Sequence, residues 1–167
     1  MKKIFPVVLT LLGCEAIACA CSEMSPSSND WKETTKVEYR FGDSSVPPEF
    51  HRSYTIAISD STKEITIDSY GDILLTKHYP NLLSDYQAFR KSLSSMNISK
   101  HKEKSSYGCT GGQTESISLY KGNKIFFDAY VYHCSGESGT LVMPDKATDL
   151  IRDQIPESVD SLIFSTK

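Results

Sequence analysis

Apolar and polar residues alternate along four short stretches in the first half of the chain. Alternation of this kind places one side chain in a core and the next in solvent, which is typical of a half-buried β-strand. The pattern predicts strands at 37–41, 54–58, 65–68 and 73–76. Short polar or glycine-containing segments separate them, which indicates antiparallel hairpins.

Helical spacing of apolar residues first appears after residue 84. Ser84 and Gln87 match a capping box at the start of this helix. The lysine-rich segment that follows, 97–107, is predicted to be an exposed loop. The apolar residues on one face of the helix are Tyr86, Phe89, Leu93 and Met96.

A second hairpin and a second helix complete the pattern. Residues 117–120 and 125–133 are rich in β-branched and aromatic residues and flank a turn near Gly122. A helix is predicted to open at Pro144 and to stop at Pro156. The order β-β-β-β-α-β-β-α predicts an α+β fold with an antiparallel sheet of about six strands and two helices packed on one face.

The first 20 residues have the pattern of a secretory signal peptide. A basic start, Met1-Lys2-Lys3, precedes an apolar run that is too short to span a membrane, which needs roughly 20 apolar residues. Residues 21–36 are mostly polar and are predicted to form a flexible tether, with Trp31 packed on the edge of the domain. Residues 37–167 are predicted to form a single domain.

Three cysteines crowd the predicted cleavage region and resemble the lipobox of bacterial lipoproteins. Cys21 is favoured as the lipidated residue because it leaves an even number of cysteines in the mature chain. Cys14 is the alternative, because Leu11-Leu12-Gly13-Cys14 is the better local match to a lipobox. Several acyl chains on one residue make a stable membrane anchor.

The mature chain is mildly acidic. Loss of residues 1–20 removes two lysines and one glutamate and leaves 16 basic and 20 acidic residues, a net charge of −4. This charge disfavours nucleic acid and anionic lipid headgroups as partners.

Two further cysteines, Cys109 and Cys134, lie on either side of the second hairpin. A two-residue turn at 121–122 would place them directly opposite each other, where a disulfide can form. A structural disulfide is favoured over a redox-active pair because there is no Cys-x-x-Cys spacing. Disulfides persist outside the cytoplasm, so the pair agrees with export.

Glycine-rich segments follow both of these cysteines. A disulfide would bring the two segments together in a small polar rim where backbone amides could meet a ligand, although the glycines could instead serve only the turns of the hairpin. His133 beside Cys134 lacks the further ligands that a zinc site needs, so no metal is expected. The candidate rim residues are Gly111, Gly112, His133, Gly136 and Glu137.

The first half of the chain carries another candidate site. His51 with Asp43 or Asp72 would make an acid/base pair if the sheet brought these side chains together. Titratable residues at strand ends are common without a function, and no known catalytic motif surrounds them. No catalytic residue is therefore assigned.

Five stretches of the chain, at 43–48, 51–56, 68–72, 108–112 and 132–134, together resemble a family of exported lipoproteins of Bacteroidota. The likeness covers about residues 37–155. It implies location in the cell envelope, at the outer membrane or cell surface, and a similar architecture. It transfers no catalytic residue.

The function expected from these observations is that of a membrane-anchored extracytoplasmic lipoprotein that acts as a binding or accessory protein. The expected partners are the membrane, through the lipid anchor, and a protein or glycan ligand, with no cofactor. One alternative is a hydrolase that uses His51 with Asp43 or Asp72. Another is an enzyme inhibitor or immunity-type protein that acts through the loops at Gly111 and Gly136.

Overall fold

The computed structural model describes residues 24–104, 111–134 and 136–167. Within these ranges the chain forms one antiparallel sheet of eight strands, in the order β4-β3-β2-β1-β6-β7-β8-β5, and four short helices. The strands are β1 (Lys36–Gly42), β2 (Ser53–Ser59), β3 (Thr62–Ser69), β4 (Asp72–Pro80), β5 (Ser99–Lys104), β6 (Gln113–Lys121), β7 (Lys124–His133) and β8 (Glu137–Val142). The helices are α1 (Ser28–Glu33), α2 (Leu83–Ser94), α3 (Asp145–Arg152) and α4 (Val159–Phe164).

One face of the sheet carries the core. Alternate residues of the central strands are fully buried, and they form one cluster with the buried residues of all four helices. The opposite face carries polar side chains, such as Arg40 and Ser116, which pair across β1 and β6. This two-sided pattern is the reason that the alternation of the sequence predicts the strands correctly.

The prediction of about six strands and two helices is wrong in its counts. The six predicted strands are present, but β5 and β8 add two more, and α1 and α4 add two helices. β5 lies within the segment predicted as a lysine-rich loop, and β8 begins in the predicted glycine-rich rim. Neither has apolar alternation in its sequence, so each is recognised only by its pairing: β8 pairs with β7 and β5, and β5 pairs with β8.

The part of the predicted tether that the structure describes carries secondary structure. Met24 forms a two-way backbone bridge with Lys100 of β5, at 2.8 and 2.9 Å. α1 follows, closed at its start by a capping box between Ser27 and Asp30. Trp31 is 6% exposed and belongs to the core. A backbone bridge, a capping box and a buried tryptophan therefore hold a segment that its polar composition assigns to solvent.

Helices α2 and α3 are correctly predicted, but the predicted cap of α2 is wrong. The buried residues of α2 are Tyr86, Phe89 and Leu93, as the spacing indicates. Ser84 lies inside the helix. The N-cap residue of α2 is Leu82, whose side chain makes no capping hydrogen bond. Instead, the Asn81 side chain accepts a hydrogen bond from the Leu82 amide at 3.1 Å. No described helix is long and apolar enough to cross a membrane.

Candidate functional site

Glu115 lies on the core face of the sheet, near the end of β6 that is far from the hairpin turn. Glu115 occupies an inward position of β6, in line with the buried Ile117 and Leu119. Its carboxylate accepts hydrogen bonds from the Tyr39 hydroxyl at 2.9 Å and from the Thr148 hydroxyl of α3 at 3.1 Å, both at Oε2. The side chain is 23% exposed. A carboxylate on the core face is thus held in place by two hydroxyl donors.

His133 lies beside this carboxylate. Its Nε2 is 3.3 Å from Glu115 Oε1, and its Nδ1 is 3.9 Å from Glu137 Oε1 of β8. Nε2 is buried, yet it makes no hydrogen bond to any residue in the described ranges. The buried nitrogen therefore faces the Glu115 carboxylate without the geometry of a hydrogen bond, and the partly exposed Glu115 carboxylate is the group that a ligand can reach.

Two cavities meet at Glu115 and Thr148. The larger, of about 340 Å³, lies between the ends of β1 and β2 and helices α3 and α4. The smaller, of about 220 Å³, lies towards β7, β8 and β5 and includes His133. The Glu115 cleft is the name used below for both cavities and the wall that they share. Four aromatic rings line the larger cavity: Tyr39, Phe41, Phe50 and Tyr54.

Burial controls the protonation of the tyrosines in this cleft. Burial, reinforced by the nearby Tyr54 and Glu115, raises the pKa of Tyr39 far above its usual range. Burial also raises the pKa of Tyr54, against the opposing effect of the Arg152 guanidinium. Tyr39 therefore stays protonated and keeps donating its hydrogen bond to Glu115 at physiological pH.

The predicted rim residues lie next to this cleft. His133 pairs with Gln113 on one side and with Glu137 on the other. An added Cβ at Gly112 would lie 2.4 Å from the His133 carbonyl oxygen, so the two backbones are in close contact. Gly111 and Gly136 both have positive φ angles and are exposed. The rim residues therefore lie together, while their role in binding stays a prediction.

The hairpin register differs from the one that places the two cysteines opposite each other. The turn is at Gly122-Asn123, and a bulge beyond Leu119 shifts the pairing so that Gln113 faces His133. The next pair in this register is Gly112 with Cys134. Cys134 is not free, but Cys109 lies outside the described residues, so the disulfide stays a prediction.

The structure does not join His51 to either aspartate. His51 is 5% exposed and stacks on Tyr70 with ring centroids 3.8 Å apart. Its Nδ1 accepts a hydrogen bond from the Tyr70 amide at 3.2 Å, and its Nε2 lies 3.4 Å from the Ser53 hydroxyl. Because Nδ1 is an acceptor, the neutral ring carries its proton on Nε2, facing Ser53.

Neither Asp43 nor Asp72 contacts His51. Asp43 accepts hydrogen bonds from the backbone amides of Ser44 and Arg52, at 2.8 and 3.0 Å. Asp72 is exposed at the start of β4. No ion pair or hydrogen bond within the described ranges links either of them to His51. The arrangement is that of a buried structural histidine, and a substrate has no access to it.

Sequence reasoning missed Glu115, Tyr39 and Thr148. The available signal was an acidic residue at an inward position of an alternating strand, two residues before Ile117. Burying a carboxylate is costly unless other groups hydrogen-bond to it or pair with it. An acidic residue at an inward position therefore indicates that such partners lie nearby. Within the described ranges, no group of His, Cys, Asp and Glu side chains is arranged to hold a metal ion.

No known family model, curated protein or solved structure matches this chain. The resemblance to exported lipoproteins of Bacteroidota therefore stays a prediction from the sequence. The geometry of the Glu115 cleft is the basis for assigning a function.

Proposed function

We propose that this protein is an exported, lipid-anchored binding protein whose ligand site is the Glu115 cleft. The basic, apolar and cysteine-rich front end supports export and an anchor at Cys21. The observation that carries the binding role is the partly exposed Glu115 carboxylate, whose Oε2 is held by two hydroxyls and whose Oε1 lies 3.3 Å from His133 Nε2. A partly exposed carboxylate held in a fixed orientation is suited to orienting a ligand.

The ligand class that fits the cleft best is a glycan. Aromatic rings such as Tyr54 and Phe50 supply apolar faces for a sugar ring. Glu115 and Asp43 accept hydrogen bonds, and Arg152 donates them. A ligand that carries many hydroxyl groups can use both kinds of partner at once.

Binding to a panel of glycans by the mature protein tests this proposal. The strongest glycan on an array is taken into calorimetric titration with the wild type and with Glu115→Gln. This substitution keeps the shape and removes the charge, so affinity should fall at least about tenfold, in line with 1.5–3 kcal/mol for a hydrogen bond to a charged group.

Glu38→Gln is the matched control. Glu38 lies on β1 and forms an ion pair with Lys36, away from the cleft. Its substitution should leave the affinity unchanged. If no glycan binds, or if both variants bind as well as the wild type, the proposed site is wrong. Turnover of a glycan that requires Glu115 would make the protein an enzyme instead.

A further inference from the structure

A groove of about 420 Å³ lies between helices α1 and α2. Pockets that bind small molecules measure roughly 300–1,000 Å³, so this groove is large enough for such a ligand. Its wall is mainly apolar and includes Trp31. It shares no lining residue with either cavity of the Glu115 cleft. It is therefore a separate candidate site, and it is called the α1–α2 groove below.

All the charged side chains that line the α1–α2 groove are cations. Lys32 lies in the last turn of α1, and Arg90 and Lys91 lie on α2. Both lysines are exposed, and within the described ranges neither ammonium group makes an ion pair or a hydrogen bond. The remaining lining residues are uncharged: Ser28, Trp31, Gln87 and Ser94.

The acidic side chains of the two helices have other partners. Asp30 and Glu33 of α1 both pair with Lys121 of β6, at 2.7 and 3.0 Å. Asp85, in the first turn of α2, accepts a hydrogen bond from the Ser84 hydroxyl at 3.1 Å. None of these three carboxylates lines the groove. A ligand in the groove therefore meets three cations and no lining carboxylate.

Arg90 is held in a fixed orientation in this wall. Its Nη1 donates hydrogen bonds to the carbonyl oxygens of Lys32 and Thr34, at 2.6 and 3.0 Å. Its guanidinium also lies 5.7 Å from the centroid of the Tyr86 ring, within the range of a cation–π contact. These contacts tie the end of α1 to α2, and they occupy only one of the three nitrogens.

The other edge of the Arg90 guanidinium is unused. Nε and Nη2 make no hydrogen bond to any residue in the described ranges. The one buried side-chain polar atom without a partner in those ranges is His133 Nε2, so Nε and Nη2 of Arg90 are open to solvent. A guanidinium edge with two parallel N–H groups binds two oxygens of a carboxylate or a phosphate at once. Capping of α1 therefore leaves Arg90 with a free bidentate edge.

We infer that the α1–α2 groove binds a small phosphate monoester that carries an apolar group. The phosphate has a charge of about −1.5 to −2 at neutral pH, which suits three cations better than the single charge of a carboxylate does. Arg90 binds two phosphate oxygens, Lys32 and Lys91 add flanking charge, and the apolar group packs in the wall beside Trp31. Solvated lysines are common on helices, but solvation does not account for a fixed guanidinium edge in the same groove.

Titration of the mature protein with phenyl phosphate tests this inference. Trp31 is the only tryptophan in the chain and lines the groove, so its fluorescence reports binding alongside calorimetry. Phenyl phosphate should bind at least about tenfold more tightly than benzoate, inorganic phosphate or phenol. Benzoate has a single charge, inorganic phosphate has no apolar group, and phenol has no charge. Absence of phenyl phosphate binding, or equal affinity for benzoate, would overturn the inference.

Two double variants locate the binding site. Lys32→Gln/Lys91→Gln should weaken phenyl phosphate binding at least about tenfold, because it removes both flanking charges. Lys124→Gln/Lys146→Gln is the matched control, since both lysines are exposed, lie outside the groove and change the net charge equally. The control should bind as the wild type does. Equal effects of the two double variants would show attraction to the overall charge alone and would overturn the inference.

Arg90→Lys keeps the positive charge and removes the bidentate edge. It should weaken binding about fivefold, because an ammonium group is a point charge. Acrylamide quenching of Trp31 in the free variant shows whether α1 stays in place, and if α1 loosens, the Lys32/Lys91 pair decides the question. Glu115→Gln should bind phenyl phosphate as the wild type does, so failure of this site and failure of the proposed glycan site are distinguishable.

Discussion

His51 illustrates how burial decides the role of a titratable side chain. From the sequence it is a candidate base, because a histidine beside aspartates at strand ends suits acid/base chemistry. In the fold both ring nitrogens are used within the protein, and the ring stacks on Tyr70. Its contribution is therefore to stability.

Replacing His51 with Phe should lower the free energy of unfolding by about 1–2 kcal/mol. The ring can still stack, but the Tyr70 amide loses its acceptor. Urea denaturation measures the change. His78→Gln is the control, because His78 is 65% exposed and its loss should change stability by no more than about 0.5 kcal/mol. Equal effects of the two variants would contradict the structural role.

Buried tyrosines should make the protein sensitive to alkaline pH. Burial raises the pKa of Tyr39, Tyr54 and Tyr86 above the ordinary value of 10.0. Burial together with Glu157 raises the pKa of Tyr79 to about 12. Above pH 10 the unfolded chain loses these protons while the folded chain keeps them.

The contribution of these tyrosines to the free energy of unfolding should therefore be constant below about pH 9 and fall above pH 10. Urea denaturation between about pH 8 and pH 11, with tyrosinate absorbance recorded in parallel, measures this fall. Tyr86→Phe should show a shallower fall, because one shifted group is removed. Full ionisation of all tyrosines near pH 10 in the folded protein would contradict the prediction.

Among the secondary-structure elements, α1 depends on a few polar contacts at its start. Asp30 accepts hydrogen bonds from Ser27 and from Lys121, at 2.9 and 2.7 Å. The Lys121 contact, followed by the Ser27 contacts, lowers the pKa of Asp30 to about 2 from 3.8. The ionised form is thus the one that supports the helix.

This support is present above pH 3.8 and is lost as the pH falls towards 2. At neutral pH, Asp30→Asn should imitate the acidic form and expose Trp31. Acrylamide quenching of the tryptophan fluorescence measures the exposure. Asp85→Asn, in the first turn of α2, is the control and should leave Trp31 shielded. If Asp30→Asn leaves Trp31 equally shielded, the polar contacts do not hold α1.

β8 depends on a glycine that no other residue can replace without displacing β7. Gly139 has a φ of +111°, and an added Cβ would lie 2.4 Å from the Tyr130 carbonyl oxygen. Gly71 has a similar φ of +94° but open space around it. Comparing the two separates the cost of backbone conformation from the cost of a clash.

Gly71→Ala should lower the free energy of unfolding by about 1–2 kcal/mol through backbone strain alone. Gly139→Ala should cost at least about 1–3 kcal/mol more, because the strands must move apart. Hydrogen exchange should quicken in β5 and β8 and stay unchanged in β2 and β3. Equal costs for the two variants would show that β7 and β8 are not in close contact.

At the scale of the whole molecule, the predicted disulfide joins Cys134, which follows β7, to Cys109, which lies outside the described residues. Peptide mapping without reduction should recover Cys109 joined to Cys134. Gly112, and not Cys109, continues the register opposite Cys134. Recovery of Cys109 as a free thiol from the native protein would contradict the bond.

The periodicity of residues 36–80 and 83–94 was sufficient to predict β1 to β4 and α2, because each buries a face whose period is visible locally. The inward Glu115 and the buried Trp31 were visible as residues, but their partners were not. Tyr39, Thr148 and His133 reach Glu115 from three separate elements, and β5 and β8 are recognised by their pairing, β8 with β7 and β5, and β5 with β8. Contacts between distant segments leave no local period in the chain, so the cleft and the two added strands emerged only from the packed fold.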